Sequence, residues 1–213
     1  MIFNSKDYSY IVDSFGVIHQ QNPEPYTYDS TYVSTYDSEA YKRQSDILQA
    51  LRLGFTIASH GTHPQSILDY GYGNGAFMKF AKQQIHNVYG YDLTGIEVEG
   101  CEIVDKLKPV DVITFWDALE HVFDLSFVKM LPCHTVVISL PYCHFHTVGQ
   151  EWFDNEYKHR KPNEHLHHFD RSSLKRFMQS QGWHEVAVST HEDIVRKSNS
   201  TLPNILTMAF KRK

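Results

Sequence analysis

Ser66-Ile67-Leu68-Asp69-Tyr70-Gly71-Tyr72-Gly73-Asn74-Gly75-Ala76-Phe77 is the stretch whose reading decides the fold. Ile67 and Leu68 read as the end of a buried strand. Three glycines follow at alternate positions, and Phe77-Met78-Lys79-Phe80-Ala81 then reads as a helix. Strand, glycine turn and helix let a backbone come close to a ligand, because no side chain stands between them. The free N–H groups at the helix start face that ligand.

Two cofactor classes use such a turn. Gly71-x-Gly73-x-x-Ala76 meets the dinucleotide pattern, whose last position tolerates alanine. Asp69 tips the reading, because a carboxylate aimed into the turn repels a pyrophosphate but suits the ammonium and sulfonium of S-adenosylmethionine (SAM). Asn87-Val88-Tyr89-Gly90-Tyr91-Asp92 reads as the next strand, with Asp92 at its carboxyl end, 21 residues after Gly71. An acid there can hold both hydroxyls of an adenosine ribose, a demand shared by NAD and SAM. The plainer reading of Asp92 is a loop acid or helix cap.

Outward from this turn, strands and helices alternate. Arg43 to His60 has apolar residues at helical spacing and leads into the strand before the glycines. Glu102-Ile103-Val104 reads as a short strand, so the helix that usually separates the second and third strands is clipped or absent. Val110 to Trp116 and Thr135 to Pro141 read as buried strands, with a short helix over Asp124 to Leu131 between them. Asp170 or Ser172 caps a helix that Gly182 ends. Trp183 to Thr190 and Ile205 to Phe210 read as two last strands joined without a helix. The fold class is therefore α/β: a Rossmann-like doubly wound sheet of about seven strands, mainly parallel with one antiparallel strand. Asp69–Gly75, Asp92 and Asp117–His121 all fall at carboxyl ends of strands, where such sheets bind ligands.

Residues 1–45 differ in texture. They carry Tyr8, Tyr10, Tyr26, Tyr28, Tyr32, Tyr36 and Tyr41 but few aliphatic residues, so they read as a tyrosine-rich cap over a main domain at 46–213. Tyr8–Val12 and Gly16–His19 suit a small hairpin. The tyrosines either pack the cap down or wall an acceptor pocket.

The composition narrows the function. Among 213 residues, 41% are hydrophobic and 21% charged, as in an ordinary globular protein, and the net charge of -5 argues against a sequence-independent hold on nucleic acid. Lys158, His159, Arg160 and Lys161 form a local basic run that reads first as solvated surface. Three cysteines without a Cys-x-x-Cys pair fit a reducing, cytoplasmic setting. Neither a signal-peptide pattern nor a membrane-length apolar run is present.

Asp117-Ala118-Leu119-Glu120-His121-Val122 resembles the Asp-x-Leu-Glu-His-Val signature of one branch of class I SAM-dependent methyltransferases, the branch of the ubiquinone-biosynthesis O-methyltransferases and of many small-molecule and glycan methyltransferases. His165-Leu166-His167-His168-Phe169, Ser173-Leu174 and Gly182-Trp183 resemble a later stretch of that branch, and Asp69-x-Gly-x-Gly-x-Gly resembles its first motif. The resemblance implies that Asp69, Gly71, Tyr72, Gly73 and Gly75 bind the methionine end of SAM. It implies further that Asp92 holds the ribose, that Leu93 lies beside the adenine, and that Asp117, Ala118 and Leu119 floor the site near the sulfonium. Glu102 and Ile103 are further adenine neighbours on this alignment.

Methyl transfer to a hydroxyl needs an in-line approach and removal of a proton, which histidine can accept near neutral pH. His121 is the candidate base; its plainer reading is a helix-start histidine that orients a loop. Tyr28, Tyr32, His144, His146, His165 and His168 are the candidate acceptor-binding residues, with Phe145, Trp152, Phe153 and Tyr157 as an aromatic wall. The Asp117-x-x-Glu120-His121 spacing and the His-x-His pairs permit a divalent ion, but histidine-rich aromatic loops more often serve packing, so no metal is expected. The expected activity is methyl transfer from SAM to oxygen of a small molecule or glycan. The alternatives are a macromolecular acceptor, a SAM-binding scaffold without activity, and a NAD-dependent oxidoreductase, which Asp69 and Asp117–Val122 disfavour.

Overall fold

The computed structural model describes residues 1–27, 39–196 and 200–212; within the first helix, side chains are described from Ser45 onward. Among the described residues, eleven strands fall into two sheets. The larger contains β4 (Ser66–Tyr70), β5 (Asn87–Tyr91), β6 (Glu102–Ile103), β7 (Val110–Trp116), β8 (Cys133–Pro141), β10 (Trp183–Ser189) and β11 (Ile205–Arg212). Their order across the sheet is β10-β11-β8-β7-β4-β5-β6. Every pair is parallel except those made by β11, which runs against both β8 and β10. This is the mainly parallel seven-stranded sheet with one antiparallel strand that the sequence implies. Strand order reverses beside β4 and β7, where a crevice opens at their carboxyl ends.

The central strands are buried on both faces, as their near-continuous apolar runs require. Alternation decides which residue goes where. Ile113 and Phe115 join one core with Val136, Ile138, Phe177 and Trp183; Val112 and Trp116 join the other with Ile67, Phe77, Met78 and Val88. Helix α1 (Glu39–His60) and the six-residue α2 (Ala76–Ala81) lie on the second face. Helix α5 (Arg171–Ser180) covers the first. Asp170 caps α5: its carboxylate accepts from the Ser173 N–H at 2.6 Å while the Ser173 hydroxyl accepts from the Asp170 N–H at 2.9 Å. Such a box contributes about 1 kcal/mol.

Residues 92–101 cross from β5 to β6 by turns and extended backbone, so the clipped connection is real. The segment between β7 and β8 that reads as a helix is instead a 3-10 turn at Leu125–Met130, started by the Asp124 carboxylate accepting from the Ser126 N–H.

The smaller sheet contains β1 (Ile2–Ser5), β2 (Tyr8–Val12), β3 (Ile18–Gln20) and the two-residue β9 (His167–His168), in that order and antiparallel. Its fourth strand comes from the histidine-rich loop, so the N-terminal hairpin and that loop form one unit. Beneath it, Phe3, Tyr10, Ile18, Phe145, Trp152, Phe153 and Tyr157 form a third, aromatic core. The loop contributes short helices α3 (Phe145–Val148) and α4 (Gln150–Asn155) to that core.

Candidate active site

The glycine turn is shaped by close approach as well as by backbone conformation. Gly71 has φ 73°, and a Cβ there would lie 2.7 Å from the Ala118 Cβ. Gly75 has φ 71°, and its Cβ would lie 2.5 Å from Val98. Both contacts are too short for any side chain, and both dihedrals are left-handed. Tyr72 anchors the turn to the clipped connection by donating its hydroxyl to the Ile96 carbonyl at 2.7 Å. Asp92 is pinned by three donors: the Gly73 N–H at 2.9 Å, the Thr94 N–H at 2.8 Å and the Thr94 hydroxyl at 2.7 Å.

Two cavities meet at this turn. One, of about 310 Å³, is lined by Tyr70, Tyr91, Asp92, Leu93, Ala118, Val122 and Phe123. Apolar walls beside the pinned Asp92 carboxylate suit a nucleoside, whose ring such walls can stack and whose ribose hydroxyls such an acid can accept from. The other, of about 400 Å³, is lined by Asp69, Tyr72, Trp116, Arg52, Arg196 and the loop residues Lys158, His159, Lys161, Glu164 and His165. Gly71, Gly73, Asp117 and His121 line both.

Asp69 is buried, and the Thr114 hydroxyl donates to its Oδ1 at 2.8 Å. Burial outweighs that bond and pushes its carboxyl up to about 7. A cationic group arriving in the larger cavity meets a carboxyl ready to ionise against it.

Asp117 is held in the opposite state. It sits at φ 53°, a left-handed conformation that a non-glycine residue adopts only under constraint. The constraint is ionic. Arg196 donates through two nitrogens at 2.8 and 2.9 Å, and Arg52 donates to Oδ2 at 3.1 Å. Burial alone would raise the carboxyl, but the two guanidinium groups outweigh it and hold it down to about 2. Both arginines also grip Glu192, which is fully buried and takes a 2.6 Å bond from the Ser139 hydroxyl. The loop before β11 reads in sequence as a polar hairpin connection. It instead folds a 3-10 turn (His191–Ile194) that drives Glu192 under the site. Arg52, Glu192 and Arg196 are site residues that sequence reading missed. The Glu192/Arg196 spacing of four was the only available signal, and such pairs are common on surfaces.

At the junction, Leu119–His121 forms a 3-10 turn after β7. Burial lowers the His121 imidazole, and a backbone bond at Glu164 favours its protonated form less strongly. Glu120 is buried; burial first, then the charge of Asp117, raises its carboxyl well above the ordinary range. The His121 and His165 rings stand 4.6 Å apart, edge to face.

The remaining candidates are dispersed. Leu119 is fully buried in the core behind the floor, and Gly75 lies in the turn without lining either cavity. His165 lines the larger cavity, but His144, His146 and His168 do not. His144 bonds to the Pro203 carbonyl at 2.8 Å and stacks on Tyr142. His146 bonds to the Gly16 carbonyl at 2.7 Å on the surface. His168 packs against Tyr10, Phe153 and Tyr157. Tyr28 and Tyr32 lie outside the described residues. The aromatic wall is placed differently from the expectation: Phe145, Trp152, Phe153 and Tyr157 pack the third core, because β9 pairs with β3 and draws the loop under the N-terminal sheet. Lys158 and Lys161 of the basic run 158–161 are exposed, as a solvated surface requires, and with His159 they also line the larger cavity, whose wall is therefore polar.

A glycine cradle, a pinned acid at the end of the next strand and a reversal of strand order suit a nucleoside cofactor in a doubly wound fold. A model of the methyltransferase-domain family matches residues 36–188, and the chain belongs to that family. It is a class I SAM-dependent methyltransferase. No curated protein sequence matches it. Solved structures agree in fold. One is a SAM-dependent methyltransferase from Clostridium acetobutylicum, 10% identical, with TM-score 0.57, covering 85% of this chain and 98% of that one. Another is magnesium protoporphyrin IX methyltransferase from Synechocystis with bound S-adenosylhomocysteine, 12% identical, TM-score 0.55, covering 82% and 86%. A third is 1,6-didemethyltoxoflavin-N1-methyltransferase from Burkholderia thailandensis with its acceptor and S-adenosylhomocysteine, 17% identical, TM-score 0.55, covering 95% and 98%. No helix among the described residues is long and apolar enough to cross a membrane.

Proposed function

We propose that this methyltransferase acts at a hydroxyl oxygen of a small polar molecule or glycan held in the larger cavity. The observation that carries the reading is that Gly71, Gly73, Asp117 and His121 line both cavities, so an acceptor in one meets the cofactor of the other at a single junction. Asp92 would hold the ribose, with Leu93 beside the adenine. Gly71 and Gly73 would admit the backbone to the cofactor, whose methionine end would cross the junction so that its ammonium faces Asp69 in the larger cavity. The cofactor supplies an activated methyl group, so the chain's task is mainly to position the acceptor and deal with its proton.

His121 stands at the junction, where its imidazole can take a hydroxyl proton. Lys158, Lys161, Glu164 and His165 offer hydrogen bonds to a hydrophilic acceptor. This wall favours a sugar-like molecule over a flat apolar ring. Within the family, the resemblance of the run Asp117–Val122 to the ubiquinone-biosynthesis O-methyltransferases supports a hydroxyl acceptor. Of the N-terminal segment 1–45, the described residues 1–27 serve as a cap of the catalytic domain at 46–213, and the three unpaired cysteines suit the cytoplasm.

The test is thermal unfolding with S-adenosylhomocysteine, followed by transfer of labelled methyl from SAM to a panel of sugars and phenols. At 100 times the dissociation constant a ligand stabilises the fold by about 2.7 kcal/mol, a shift of roughly 5–10 °C for this length. The expected result is a shift that Asp92→Ala weakens, with label entering hydroxyl acceptors. Label entering only amines or protein would overturn the oxygen assignment.

A further inference from the structure

Glu120, His121 and His165 form a cluster that the glycine cradle and the arginine network leave unused. One donor atom from each lies within 4.8 Å of the other two. Glu120 is 1% exposed, and neither of its carboxylate oxygens has a hydrogen-bond partner among the described residues; the same holds for Nδ1 of the buried His165. Buried polar atoms left this way cost free energy unless something binds them. The arrangement is fixed by backbone. Glu120 and His121 are neighbours in the 3-10 turn, and the Leu166 N–H donates to the Glu120 carbonyl at 2.8 Å, which holds the preceding His165 against them.

We propose that Glu120, His121 and His165 bind a divalent, zinc-like ion in the wall of the larger cavity, where its open coordination position takes the acceptor's hydroxyl oxygen. This deepens the functional reading above and rests on it. Two imidazoles and a carboxylate are a donor set of catalytic zinc sites, which leave one position to water or substrate. Donors bound at about 2.0–2.2 Å stand about 3.5 Å apart around a tetrahedral ion, so binding draws the cluster in by about 1 Å. His121 and His165 both line the cavity, so the open position faces the acceptor's space. The backbone bond between His121 and Glu164 orients one ligand ring, as outer-shell contacts at metal sites do.

The ion lowers the pKa of a bound hydroxyl, and His121 then serves as a ligand in place of a base. The hydroxyl proton leaves to water, and the oxygen forms the new bond to the methyl carbon. The electron pair of the broken carbon–sulfur bond stays on sulfur, giving S-adenosylhomocysteine. The ion is neither oxidised nor reduced.

The test titrates the metal-stripped full chain with Co²⁺, followed by visible absorption and equilibrium dialysis, in wild type, Glu120→Gln and His165→Asn. The thermal shift with S-adenosylhomocysteine is recorded for each and reports an intact fold and cofactor site. The expected result is one equivalent of Co²⁺ with the absorption of a low-coordinate site. Both variants should lose more affinity than the about 10–100-fold that removing an outer-shell partner costs, while keeping the S-adenosylhomocysteine shift. Wild type that shifts with S-adenosylhomocysteine but takes up no Co²⁺ overturns the metal site and leaves the cofactor reading standing. Co²⁺ uptake unchanged in Glu120→Gln places the ion on other histidines and also overturns it. Absence of any S-adenosylhomocysteine shift in wild type is the separate failure of the functional reading.

Discussion

Arg196 closes on Asp117 with two nitrogens, at 2.8 and 2.9 Å, across 79 residues of chain. That pair holds the floor of the junction at its left-handed backbone angle, and Glu192 underneath completes the charge balance with Arg52. Removing one member of a buried ionic network leaves the others uncompensated, at a cost of about 3–5 kcal/mol. Glu192→Ala should therefore lower Tm by about 6–20 °C. A fall of less than about 2 °C in a melting curve would show that the network does not sustain the floor.

Gly75→Ala tests the cradle. It places a Cβ 2.5 Å from Val98 and forces alanine to φ 71°. The dihedral alone costs about 1–2 kcal/mol. Adding Val98→Ala removes the collision but not the dihedral, so the double variant should regain part of the lost stability and of the S-adenosylhomocysteine shift. Strict additivity of the two substitutions in chemical denaturation would mean that the contact carries no energy.

Asp69 gives cofactor binding a pH dependence. Its carboxyl titrates at about 7 when buried without a cationic partner. Because that lies above the unfolded value, the free protein loses this group's stabilisation as pH rises from about 4 to 7. A ligand ammonium favours the ionised form. Affinity for S-adenosylhomocysteine, measured by calorimetry, should rise about tenfold from pH 6 to pH 8. Asp69→Asn should flatten that slope; an unchanged slope in the variant would assign the titration elsewhere.

Buried histidines set the acid limb of stability. Burial lowers His159 and His167 to about 4 and His168 to about 3. All three lie below the unfolded value, so the unfolded chain binds more protons and stability falls as pH drops from about 6.5 through 4. Asp69 and Glu120, both raised by burial, act with the opposite sign, but His121 and His165 are lowered like the other three histidines, so five groups outweigh two. Asp117, held down to about 2, adds a further loss as pH falls from about 4 to 2. Tm should decline steadily from pH 7 to pH 4. A flat profile there would show that these histidines protonate in the folded state without strain.

Much of the sheet was legible because its signals are local. Val110–Trp116 and Thr135–Pro141 are buried almost throughout and read as largely apolar runs. Asp170, one of the two residues read as the cap, starts its helix. The clipped connection followed from the short distance between Asp92 and Val110. The histidine-rich loop was not legible in the same way. Which of its side chains meet the cavity depends on His167 pairing with His19 and His168 with Ile18, a register made across 148 or more residues.

The sequence by itself determined the glycine turn and the acid beside it. Gly71, Gly73, Gly75 and Asp92 lie in or at the ends of consecutive elements, where turn geometry and strand direction place a residue without reference to distant chain. Only the tertiary structure decided the acceptor half. It brought Arg52, Asp117, Glu192 and Arg196 into one charge network, and it separated His165 at the cavity from His144, His146 and His168 in the packing. The physical reason is that desolvated charge and long-range strand pairing are properties of the packed molecule. The same Glu192 would be an ordinary solvated acid in a loop, and becomes a buried anion only where two arginines from elsewhere in the chain converge on it.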